Sequence, residues 1–144
     1  MILSSLGNST VSEALFVAKK YYTPETYAHA IRVAEYVEKD NMLNEDSKDA
    51  CISLALMHDL LEDTEFDASD LDPDLYYALD LLTRKKEVPY DDYCKKIREV
   101  AGENEWGFYA YRVKIADMKD HLNQTETLTE KLKAKYLSAL RYLL

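Results

Sequence analysis

Three glycines and three prolines are spread over 144 residues, so the chain has few places to turn sharply. A sheet protein with many tight turns needs more of both. Long uninterrupted elements are the alternative, and the apolar spacing makes them helices. Thr10 and Glu13 have capping-box spacing ahead of Leu15, Ala18 and Tyr22. Thr23-Pro24 and Asp72-Pro73 each read as a cap followed by a first-turn proline. The helix after Pro24 carries Tyr27, Ala30, Ile31, Ala34 and Val37 on one face, and a third runs from near Ser47 through residue 63. Residues 65–72 and 84–89 read as connectors, with Tyr93, Ile97 and Val100 on the helix between the second connector and a stop at Gly102. Two further helices follow, one over "EWGFYAYRVKIADMKDHL" and a last one capped by Thr127 and Glu130 that carries Leu132, Tyr136, Ala139 and Leu143. The expectation is a compact all-α domain of about seven helices spanning 1–144, with no convincing strand.

Composition narrows the function. A net charge of −9 argues against a nucleic-acid partner, because phosphate backbones attract basic surfaces. A small anionic substrate remains compatible, since a bound cation and a few local lysines or arginines reverse the field inside a pocket. No apolar run approaches the roughly 20 residues of a membrane span. The opening "MILSSLGNST" lacks a basic region followed by a long apolar one. The expectation is a cytoplasmic chain with no membrane partner. Cys51 and Cys94 have no metal or redox spacing and read as buried free thiols. Twelve tyrosines fall mostly at helical spacing and read as packing. Tyr76, Tyr77, Tyr109 and Tyr111 are candidates to stack on a base.

The chemistry concentrates in "MHDLLEDTEF", residues 57–66, where four ionisable groups flank Leu60 and Leu61 beside the apolar run "ISLAL". On a continuous helix, His58 and Glu62 are one turn apart, as are Asp59 and Asp63, so all four share one broad face. Imidazole with carboxylate is a donor set for a divalent transition metal. Two neighbours cannot fill a coordination shell, so further ligands must come from elsewhere. His29 sits mid-helix among small and apolar residues, and Asp117 lies between an apolar run and a charged tail. Both are polar where the helical pattern asks for apolar residues. His29, His58, Asp59 and Asp117 thus form one candidate shell drawn from three helices.

This H…HD…D pattern resembles the HD-domain metal-dependent phosphohydrolases. The longer string "HDLLEDT" resembles the hydrolase domains of RelA/SpoT proteins and their small single-domain relatives. "LDLLTRKKEVPYDDYCKKI", "RVKIADMKD" and "KLKAKYLSAL" are similar to later segments of that branch, and the resemblance covers about residues 27–144. It implies that His29, His58, Asp59 and Asp117 bind Mn²⁺ or another divalent metal, and that Glu62 and Asp63 orient and activate the attacking water. It also implies a nucleotide substrate, a (p)ppGpp-like alarmone that loses its 3′-pyrophosphate. Lys114, Arg112, Arg84 and Lys85 are candidates to neutralise phosphate charge. Two places depart from the branch. The segment before the first metal histidine, "AKKYYTPETYAH", is short and without glycine, with Lys19 and Lys20 as its basic residues. His121 stands where the branch has asparagine, one turn past Asp117, and is a candidate substrate contact. The rival readings are hydrolysis of another nucleotide and a non-catalytic nucleotide- or metal-binding module. Oligomeric state has no signature in the sequence.

Overall fold

The computed structural model describes residues 7–144. Among them are eight helices and no strand: α1 (Gly7–Tyr21), α2 (Pro24–Glu38), α3 (Glu45–Met57), α4 (Leu60–Asp63), α5 (Pro73–Leu81), α6 (Tyr90–Val100), α7 (Glu105–Asn123) and α8 (Glu130–Leu143). The N-terminal reading on residues 1–10 falls largely on 1–6, which lie outside the described residues. Among the described residues, no helix is long and apolar enough to cross a membrane.

Helices α3 and α7 form the centre. α1 and α2 pack on α3, α2 also packs on α7, and α5, α6 and α8 close the other side of α7. The two central helices are buried on nearly every side, with Leu54, Leu56 and Met57 in α3 and Val113 and Met118 in α7 almost fully enclosed. Burying each of these side chains contributes about 1.5–3 kcal/mol. Cys51 and Cys94 are free and buried in this core.

Side-chain caps set the starts of α2, α3, α5, α7 and α8, each offsetting an orphan backbone N–H. Thr23 accepts from the Thr26 N–H at 3.2 Å, Asn44 from Ser47 at 3.0 Å, and Asp72 from Asp74 at 3.1 Å. Asn104 accepts from Gly107 at 2.7 Å, and Thr129 from Leu132 at 3.1 Å. Three expectations are corrected here. Thr10 does not cap α1, which already runs from Gly7 and buries Thr10 within it. Thr129 rather than Thr127 caps α8, because the Thr127 N–H closes a turn onto the Gln124 carbonyl. The third helix does not continue to residue 63: it ends at Met57, and α4 begins at Leu60, which adds one helix to the expected seven.

The break has a clear origin. The Asp59 N–H donates to the Tyr22 phenol at 3.1 Å instead of to the Ala55 carbonyl. That carbonyl accepts from the His58 ring Nδ1 at 2.6 Å. The chain therefore tightens over His58 and Asp59 before the Asp63 N–H bonds back to the Asp59 carbonyl and restarts the helix.

Candidate metal centre

Two helix ends and two mid-helix turns bring the polar residues together. His29 projects from the middle of α2, His58 and Asp59 from the break between α3 and α4, and Asp117 from the buried side of α7. Asp117 Oδ1 lies 2.8 Å from His29 Nε2 and 3.2 Å from His58 Nε2. Asp59 Oδ2 lies 3.3 Å from His58 Nε2 and 3.9 Å from His29 Nε2. All four residues of the expected shell therefore meet at one point, although the helix expected to carry two of them is broken. The ligand atoms of His29, His58 and Asp59 lie within 4.8 Å of one another, as do those of His29, Asp117 and His121.

The ring tautomers fit a cation. His58 donates from Nδ1 to a backbone carbonyl, and His29 donates from Nδ1 to Asp120 Oδ2 at 2.6 Å. In the neutral rings both Nε2 lone pairs then point inward, towards carboxylate oxygens that also carry lone pairs. Only a proton on each nitrogen, or a metal ion between them, relieves that arrangement. The donors are imidazole nitrogen and carboxylate oxygen, a set suited to divalent transition metals.

The electrostatics show the same tension. Burial opposes charge on Asp117, yet Lys114 and the three histidines hold its carboxyl well below the usual carboxylate range. Burial likewise opposes charge on His58, but Asp59 and Asp117 push it up to about 9. Burial, then Asp59 and Glu62, raise Asp63 above an ordinary carboxyl group.

The surrounding candidates separate into two sets. Glu62 and Asp63 lie exposed at the α4 end of the cluster, and Glu62 Oε1 accepts the Arg84 backbone N–H at 2.9 Å. Lys114 is buried beneath Tyr90 and Tyr93, with Nζ 3.0 Å from Asp117 Oδ2, so its charge serves that carboxylate. The Arg84 guanidinium donates to the Val88 carbonyl at 2.9 Å, and Lys85 pairs with Asp80 at 2.8 Å; both are exposed. Arg112 is not brought to the cluster: it forms a two-pronged bond to Asp40 at 2.7 and 3.1 Å. Lys19 and Lys20 are exposed on α1. Of the candidate stacking tyrosines, Tyr109 is buried and bonded to Ser47, Tyr111 lies between Arg98 and Arg112, and Tyr77 bonds Asn104. Tyr76 is exposed on α5.

Asp120 escapes the sequence reading. It is 1% exposed, and its other oxygen takes the Arg32 Nε at 2.7 Å, so a buried carboxylate links an arginine to the His29 ring. The signal lay in "DMKD", where Asp117 and Asp120 are three residues apart and so on adjoining faces of α7. A second aspartate in a charged tail reads as solvated until α2 is known to cover it.

No protein-family model matches the chain, and no curated protein matches it. Among solved structures, it is similar to a metazoan ortholog of SpoT that hydrolyses ppGpp and plays a role in starvation responses. The two are 18% identical, and the match covers 97% of this chain and 88% of that one with a TM-score of 0.69. The chain thus shares the all-helical fold of that protein.

Proposed function

We propose that this chain is a divalent-metal-dependent phosphohydrolase of nucleotides, a single HD-type domain over residues 1–144. Its first substrate in this reading is a (p)ppGpp-like alarmone, which loses its 3′-pyrophosphate. The observation that carries the reading is the convergence of His29, His58, Asp59 and Asp117 with both Nδ1 atoms engaged from behind. Those four residues would hold the cation, Mn²⁺ or another divalent metal. When bound, such a cation lowers the pKa of water and polarises a phosphoryl oxygen. Glu62 and Asp63 handle the proton, and the Asp63 carboxyl, raised by burial and by the neighbouring Asp59 and Glu62, takes and returns one more readily than an ordinary aspartate. Lys114 adds positive charge beneath Asp117, while Arg84 and Lys85 are exposed cations for a phosphate chain. The likeness in fold to a ppGpp-hydrolysing protein supports the substrate class.

A second reading keeps the chemistry and changes the substrate to another nucleotide. It is favoured by Arg112, which is committed to Asp40, and by His121, which replaces the branch's asparagine. One experiment separates the two. Purified protein with Mn²⁺ is given ppGpp, pppGpp, NADPH, nucleoside mono- and triphosphates and cyclic nucleotides, and products are read by chromatography. Selective release of pyrophosphate from ppGpp supports the first reading, and turnover of a different nucleotide supports the second. Tight nucleotide binding with no turnover of any of them would leave a binding module.

A further inference from the structure

Three imidazole nitrogens approach a single oxygen. Asp117 Oδ1 lies 2.8 Å from His29 Nε2, 3.2 Å from His58 Nε2 and 3.2 Å from His121 Nε2. The other Asp117 oxygen is taken by Lys114. A carboxylate oxygen offers about two lone-pair directions, so three N–H donors cannot all be served by Oδ1. Hydrogen bonding to Asp117 therefore does not account for all three rings, and His58 has Asp59 Oδ2 at 3.3 Å as a further partner.

His121 reaches this point because it follows Asp117 by one turn of α7 and shares its face. Its ring is held on two sides. It stacks on Tyr136 of α8 with centroids 4.7 Å apart and planes 12° apart, and it lies 4.6 Å from the His29 ring. A histidine left on the surface for solubility has no need of such a clamp, which fixes the direction of Nε2. The triad of His29, Asp117 and His121 shares His29 with the triad of His29, His58 and Asp59, so one ion placed beside His29 would face both.

We infer that His121 is a fifth protein ligand of the cation, giving three imidazoles and two carboxylates. This inference rests on the metal-centre reading above. It also sets metal preference. A third nitrogen donor moves a site away from the oxygen-preferring Mn²⁺ and towards Co²⁺, Ni²⁺ and Zn²⁺. His121 then tunes which metal is held as well as how firmly.

The test uses the full chain stripped by chelator. Co²⁺ is titrated in with its visible absorption followed, and Mn²⁺ and Zn²⁺ are titrated calorimetrically. His121→Phe keeps a ring to stack on Tyr136 and removes the nitrogen. His121→Asn gives an independent comparison, and serves alone if the phenylalanine variant does not fold. Loss of the ligand lowers Co²⁺ and Zn²⁺ affinity by about tenfold or more, lowers Mn²⁺ affinity less, and alters the Co²⁺ spectrum. Unchanged spectrum and affinities in the variants, with one cation still bound by the wild type, overturn the role of His121 and leave the four-residue site intact. A wild-type protein that binds no cation overturns both.

Discussion

The phenol oxygen of Tyr22 accepts the backbone N–H of Asp59 at 3.1 Å, so the residue that follows α1 holds open the break between α3 and α4. Tyr22 is 8% exposed, and both its burial and the nearby Asp59 charge keep the phenol protonated. Replacing it with phenylalanine keeps the ring and removes the acceptor. An N–H left without a partner costs about 1–3 kcal/mol, and the Asp59 carboxylate loses its fixed position. Tyr22→Phe should therefore lower the unfolding midpoint in urea and weaken metal binding together. A variant unchanged in both would mean that the turn is held by the His58–Ala55 bond alone.

Asp120 offers a cleaner perturbation of the cluster, because it touches His29 from behind. Asp120→Asn keeps an oxygen for the His29 Nδ1–H but removes the charge shared with Arg32. Loss of such a supporting carboxylate weakens metal binding by about 10–100-fold. Calorimetric Mn²⁺ titration of the variant should show a drop within that range with one binding site retained.

The pH behaviour of the metal-free protein follows from His58, which Asp59 and Asp117 push up to about 9 despite its burial. The unfolded ring titrates near 6.5. A raised folded pKa means that the charged ring stabilises the fold fully below about pH 6.5 and that this contribution fades as pH rises towards 9. Chelated protein should therefore lose thermal stability across that interval. A cation competes with the same proton, so metal affinity should rise over the same interval, with protons released on binding. Melting curves and metal titrations between pH 6 and 9.5 check both signs.

Gly107 tests the packing that sets α7 in place. A Cβ added there would lie 2.4 Å from the Val100 carbonyl oxygen, in the backbone at the end of α6. Neither helix end can yield without disturbing the other, so Gly107→Ala should destabilise by about 1–3 kcal/mol. Urea unfolding of the variant measures it, and an unchanged midpoint would show that the α6–α7 junction gives way freely.

The helical class was legible because scarce glycine and proline, cap-proline pairs and apolar spacing all report local preferences. The convergence of His29, His58, Asp59 and Asp117 was legible for a different reason: His29 and Asp117 stand on faces that otherwise want apolar side chains. What escaped depends on contacts between distant segments. The break at His58–Asp59 needs Tyr22, which is 37 residues away from Asp59. Arg112 looked like a phosphate ligand beside Lys114, but α7 turns it outward to Asp40, 72 residues distant. Asp120 sits in a charged tail, and only the docking of α2 covers it. None of these pairings can be read from one segment alone, since each is decided by where one helix lies on another.

Glu62 separates binding from chemistry. It is exposed, it lies on the short helix after the Asp59 break, and its Oε1 accepts the Arg84 N–H at 2.9 Å. Glutamine at this position retains an oxygen for that bond, so the loop after α5 keeps its attachment and the fold is undisturbed. The proton-accepting charge is lost. A positioned acid or base contributes about 10²–10⁴-fold to a rate. Glu62→Gln should therefore bind Mn²⁺ as the wild type does while kcat falls by about that factor, whereas Asp59→Ala should lose metal and turnover together. If Glu62→Gln lost metal as completely as Asp59→Ala, Glu62 would belong among the ligands; if it kept full turnover, the proton would pass through Asp63 alone.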